Sequence, residues 1–138
     1  MTNDQASMTK QDTSVEPDCN TNVFDLAERT ALFGEGVIRF SRSIKRDAVT
    51  MPLISQLIRS ATSIGANYVE ADEAGSKREF AYRISVCRRE ARETQYWLRM
   101  IVVADEDMKS SARQLWQEAR ELVLILASIH RKASPQRK

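Results

Sequence analysis

An antiparallel up-down-up-down bundle of four α-helices is the fold this all-α sequence predicts, and three observations carry it. Only four Gly and three Pro in 138 residues leave little turn chemistry for a many-stranded sheet, whereas 42% apolar and 29% charged residues suit a few long helices. Apolar residues recur at three- and four-residue spacing in four stretches from Asn22 onward. The links between those stretches are short, which forces consecutive helices to lie antiparallel. The length fits one core, so a single bundle domain is expected over residues 22–132, between a polar leader, 1–21, and a basic tail, 133–138.

The leader is rich in Thr, Asn, Asp, Gln and Ser. It holds too few apolar groups to repay the entropy of ordering and is expected to be disordered. Its charges, Lys10 against Asp4, Asp12, Glu16 and Asp18, amount to −3, so the remaining chain carries +5 of the net +2. That makes the bundle moderately basic.

Phe24, Leu26, Leu32, Val37 and Ile44 mark the first helix, to about Ile44. Gly34 and Gly36 weaken its middle by about 1 kcal/mol each against Ala, which a close helix crossing or a slight kink would explain. After the charged connector Lys45–Val49, Thr50 is expected as an N-cap, with Pro52 tolerated in the first turn. The second helix shows an apolar stripe through Leu53, Leu57, Ile64, Tyr68 and Val69, and Gly75 is expected to end it. Ser76 and Glu79 spell a capping box for the third helix. That helix should run from Lys77 to about Ala104, about 42 Å at 1.5 Å per residue. Asp105, Glu106 and Asp107 favour the N-terminus of the fourth, and His130, Arg131 and Lys132 its C-terminus.

The amphipathicity is broader than one core requires. Tyr68 and Val69 lie about 100° apart on their helix. Leu122 to Ala127 is apolar nearly all round. A second buried surface is therefore expected, most economically a subunit interface in a symmetric homo-oligomer.

Catalytic constellations are missing. His130, the single histidine, falls in the last helical turn, where a helix-end cation is the simplest role. Cys87 recurs in register with Phe80, Ile84 and Ala91 and reads as a small core residue. The carboxylate pairs Asp72/Glu73, Glu90/Glu93 and Asp105/Asp107 lack the Glu-x-x-His pattern of a bundle metal site. No enzyme, metal or cofactor is expected. Cys19 and Cys87 are too few for a disulfide framework, no apolar stretch reaches the roughly 18 residues of a membrane span, and Met1 to Lys10 holds no signal-like apolar region. A cytoplasmic location follows as an expectation.

The third helix separates into three faces at 100° per residue. Phe80, Ile84, Cys87, Ala91, Leu98 and Val102 form the core side. Lys77, Arg78, Arg88, Arg89, Arg92 and Arg99 form a basic band, and Glu79, Glu90 and Glu93 lie opposite it. Three readings stand: a solvated charged surface with local pairs such as Glu93 to Arg89, inter-subunit salt bridges around a ring, or a polyanion-binding face. On the second helix Gln56, Ser60, Ser63 and Asn67 form a polar line that reads as a packing seam rather than a site.

The run from Gln56 to Ala71, then Lys77-Arg78-Glu79-Phe80 and Glu93-Thr94-Gln95, resembles the four-helix-bundle family of proteins encoded in intervening sequences of 23S ribosomal RNA. The shared motif positions include Gln56, Arg59, Ser63, Asn67, Glu70, Glu79, Phe80 and Glu93. Ala71, where the family usually has Gly, and Arg88-Arg89, in a stretch usually small or apolar, depart from the pattern. The resemblance implies a homopentameric ring without known enzymatic activity. It also implies kinship with the accessory variability determinants of diversity-generating retroelements, basic pentamers that look suited to RNA and protein partners.

Overall fold

The computed structural model describes residues 21–134, with side-chain surroundings from Leu26 onward. It contains α1 (Thr21–Arg42), α2 (Thr50–Asp72), α3 (Lys77–Ala104) and α4 (Lys109–Ala133), with a 3-10 turn, Glu106–Met108, ahead of α4. No strand occurs among the described residues. The leader lies outside them except for Thr21, which already belongs to α1; the tail does too, except for Ala133 and Ser134, which close α4.

Cross-helix contacts give the topology. Gly34 meets Thr62 and Gly65 meets Thr30, so α1 and α2 run in opposite directions. Arg59 reaches Glu93, Ser60 reaches Thr94, and Asn67 reaches Arg83, which sets α3 antiparallel to α2. Arg29 bridges to Glu118 and Gly36 sits against Leu115, so α4 returns along α1 and closes the bundle.

The periodic apolar residues meet in the middle. Leu26, Val37, Leu57, Ile64, Ile84, Leu98, Ile101, Leu122 and Leu126 are all at most 1% exposed. Burying an aliphatic side chain of this kind contributes about 1.5–3 kcal/mol. On α3 the expected core face holds: Ile84, Cys87, Ala91 and Leu98 are buried, while Phe80 and Val102 are half-buried at its margin.

The caps differ from expectation at two links. Thr50 is the first residue of α2, not its N-cap; Val49 takes the cap position without a side-chain bond. The link folds back one turn earlier, so the Asp47 carboxylate accepts the N–H groups of both Val49 and Thr50 at 2.9 Å. Thr50 Oγ1 accepts from the Asp47 N–H and donates to the Lys45 carbonyl. A carboxylate is the stronger acceptor for orphan helix donors than a hydroxyl. Those N–H bonds hold the Asp47 carboxyl below its ordinary range. At the other end, α2 stops at Asp72, three residues before Gly75, where Glu73 and Ala74 donate back to the last turn.

Ser76 caps α3 as expected, its Oγ accepting the Glu79 N–H at 3.1 Å. The reciprocal bond goes from the Gly75 N–H to Glu79 Oε1 rather than from Ser76. Asp105 caps the 3-10 turn by accepting the Asp107 N–H, and its second oxygen accepts the Lys45 N–H, tying the two links together at one end of the bundle.

Candidate nucleic-acid interface

Two residues of the acidic edge of α3, Glu90 and Glu93, are paired within the chain. Arg59 of α2 lies over them, its Nη2 donating to Glu93 Oε1 at 2.8 Å and its Nη1 to Glu90 Oε1 at 3.4 Å, while its Nε donates to Gln56. The local Glu93 to Arg89 pair that helical spacing suggests is replaced by this cross-helix one. Burial raises the Glu90 carboxyl, against the pull of Arg59 and with help from Glu93. Burial also pushes Glu93 up, but the Arg59 hydrogen bond and charge overcome it and leave that carboxyl below its usual range.

Further polar contacts continue the same seam, one of them at the motif position Asn67. Ser60 Oγ and Thr94 Oγ1 share a buried hydrogen bond of 2.9 Å. Asn67 accepts from Arg83 Nη1 at 3.0 Å and donates to the Ser63 carbonyl. Ser63 and Phe80 are half-buried, Glu79 serves the α3 cap, and Glu70 is exposed. Ser60 and Asn67 of the polar line thus pack against α3, while Gln56 is exposed and bonds to Arg59 of its own helix.

The basic band lies on the other side of α3. Lys77, Arg78, Arg89, Arg92 and Arg99 are exposed, and Arg88 is half-buried with its Nε enclosed and without a hydrogen-bond partner among the described residues. None of the six is in an ion pair among the described residues. From Lys77 to Arg99 the band extends about 33 Å along the helix.

Sequence reasoning missed two contributions to this face. Lys109 and Arg113 of α4 stand with Arg99 around a groove of about 470 Å³ whose walls include Leu98, Val102 and Trp116. Tyr82 and Tyr96 are 57% and 52% exposed among the arginines. The signal was present as a second stripe on α3, since Tyr82, Arg89, Arg92, Tyr96, Arg99 and Val103 follow one another at intervals of seven, three, four, three and four.

Nucleophile candidates sit apart from this face. Cys87 is buried, its Sγ donating to the Ile64 carbonyl at 3.4 Å, and burial pushes its thiol up to about 12. Such a thiol is inert rather than nucleophilic. His130 lies in the last turn of α4 with Nε2 at 3.3 Å from Ser134 Oγ, a helix-end contact. Among the described residues no cluster of three or more His, Cys, Asp or Glu could hold a metal ion, and no helix is long and apolar enough to cross a membrane.

A solved protein of unknown function from the S23 ribosomal protein family of Bacteroides thetaiotaomicron has a similar fold. It is 25% identical with a TM-score of 0.67, over 75% of this chain and 96% of that one. No curated protein matches the sequence. Residues 24–128 match the family described as 23S rRNA-intervening sequence protein, which covers all but the first few residues of α1 and the last turn of α4. The four helices, the α2–α3 motif seam and this match agree, and the chain belongs to the 23S rRNA-intervening sequence protein family.

Proposed function

We propose that the chain is a non-enzymatic accessory protein of the cytoplasm that assembles with copies of itself and binds RNA or another polyanion through the basic face of α3. One observation carries the choice over inter-subunit salt bridges. In a ring built on opposite edges of α3, the arginines of one subunit need the glutamates of the next, but Glu90 and Glu93 are already held by Arg59 within the same chain. The arginines are left with exposed heads and no acid from their own helix. Phosphates are the anions that such a row fits, with Lys109 and Arg113 widening it.

Self-assembly has separate support. Leu32, Ile38 and Val69 are 53%, 40% and 55% exposed, and Ile38 and Val69 border a groove of about 290 Å³ between α1 and α2. A small-residue face of this kind, with Glu35 its one charged lining residue, suits a neighbouring copy, and the family resemblance puts the number at five. Light scattering on the native particle tests it; a monomer at all concentrations overturns it.

For the polyanion, the measurement is fluorescence anisotropy of a labelled RNA against salt. Neutralised phosphates make log affinity fall linearly with log salt. Arg89→Ala with Arg92→Ala is expected to weaken binding at every salt and to flatten that slope by about two counterions. Absence of binding at low salt, or an unchanged slope in the double variant, sinks the proposal.

A further inference from the structure

The arginines of α3 do not stand alone; exposed aromatic rings alternate with them. Tyr82 and Tyr96 occupy the same outward stripe as Arg89, Arg92 and Arg99, all solvent-exposed, with Val103, 75% exposed, at its end. A purely phosphate-binding surface has no use for these rings. Aromatic and apolar side chains that line up contiguously on an exposed stripe mark an interaction site rather than ordinary surface. Tyr96 is braced edge-on by Trp97, the ring centroids 5.0 Å apart at 77°, and Arg83 stands 5.9 Å from the ring of Tyr82. Both rings are therefore held on the surface among cations.

The stripe leads to the α3–α4 groove. Arg99 and Val103 belong to both, and the groove adds Lys109 and Arg113 over apolar surface from Val102 and Trp116. Cations around an apolar hollow of about 470 Å³ match a planar, apolar-faced ring attached to phosphates on either side. A double helix does not supply one, because its base faces are stacked on each other and only base edges, sugars and phosphates are exposed. An unpaired strand supplies both phosphates and free base faces.

We propose that the polyanion recognised by this face is single-stranded nucleic acid, its phosphates on Arg89, Arg92, Arg99, Lys109 and Arg113 and its bases stacked on Tyr82 and Tyr96, with one base lodged in the α3–α4 groove. The inference rests on the polyanion reading given above and names its substrate class. Tyr82 and Tyr96 are 14 residues apart, about 21 Å along the helix, a span of several nucleotides rather than one.

The test uses the full chain and two probes, a fluorescein-labelled 12-nucleotide single-stranded RNA and a duplex RNA of 12 base pairs. Wild type is expected to bind the single strand more tightly. Tyr82→Ala with Tyr96→Ala should lower single-strand affinity about tenfold or more, as loss of base stacking does, and leave duplex binding and the salt slope within twofold. Tyr96→Phe should retain affinity, because the stacking face is kept. Both tyrosines are exposed, so thermal unfolding of the alanine variant should match wild type. The arginine pair Arg92→Ala with Arg99→Ala should weaken both probes and flatten the slope. If the tyrosine variant binds the single strand as wild type does while the arginine variant fails, base stacking is wrong and the polyanion reading survives. If neither RNA binds wild type at low salt, both fall together.

Discussion

Helix α2 has two neighbours and meets them by opposite means. Towards α1 it is close: a Cβ on Gly65 would lie 3.2 Å from Thr30 Oγ1, and one on Gly34 would lie 3.7 Å from Thr62. Towards α3 it is polar, with Arg59 on two glutamates, Ser60 on Thr94 and Asn67 on Arg83. The first seam is fixed by shape and the second by hydrogen-bond partners. Among the motif residues that mark the family, Arg59, Asn67 and Glu93 belong to the second, so they help specify how α2 and α3 dock. The face proposed for recognition is the outer side of α3, which those motif residues leave free.

The shape-fixed seam should be the more fragile. Gly65→Leu brings a Cβ within 3.2 Å of Thr30 Oγ1 and adds a branched side chain beyond it, so α1 must shift relative to α2 to take it. A loss on the order of 3 kcal/mol is expected, at the upper end for overpacking, read by urea unfolding. Gly75→Ala is the matching control, since nothing lies within 4 Å of that position. If both variants unfold at the wild-type midpoint, the close approach of α1 and α2 is not what holds them.

The polar seam should yield less and should depend on pH. Arg59 is half exposed, so its removal is worth only about 1 kcal/mol at neutral pH, the range of partly screened ion pairs. The sign follows from the two carboxylates. Arg59 holds both Glu90 and Glu93 lower than they would otherwise be, so Arg59→Ala raises both in the folded state. The variant's deficit is then fully present above the usual glutamate range and shrinks as acid protonates the pair. In wild type the two act oppositely: lowered Glu93 adds stability that acid removes, whereas raised Glu90 adds a small cost that acid relieves. Unfolding of both proteins from pH 7 to pH 3 checks this; a deficit that stays the same on acidification would mean that Arg59 acts through packing alone.

Periodicity made the four helices and the core of α3 legible because a helix records its buried face every three or four residues. Link geometry was less legible. Thr50 had the chemistry of an N-cap, but which acceptor reaches the free N–H groups depends on how the link turns, and Asp47 arrives first. The charge faces of α3 could be drawn from sequence, yet not their partners: Arg59 is more than 30 residues away from Glu90 and Glu93, and no local spacing announces it. Tyr82 and Tyr96 were visible as residues. Their place among the arginines is not marked by charge, which separates acids from bases and is blind to the rings between them.

The smallest expected effect distinguishes a glycine that is needed from one that is merely tolerated. Gly36 lies in the same helix as Gly34, but a Cβ there would meet only Leu115 Cδ2, at an ordinary 3.7 Å, and the residue is partly exposed. A helix-interior Gly costs about 0.5–1 kcal/mol relative to Ala through backbone entropy. Gly36→Ala is therefore expected to stabilise the fold by that amount, raising the urea midpoint without changing the slope. A destabilised variant would show that α1 and α4 also approach at glycine distance, and the contrast between a shape-fixed α1–α2 seam and the rest of the bundle would lose its ground.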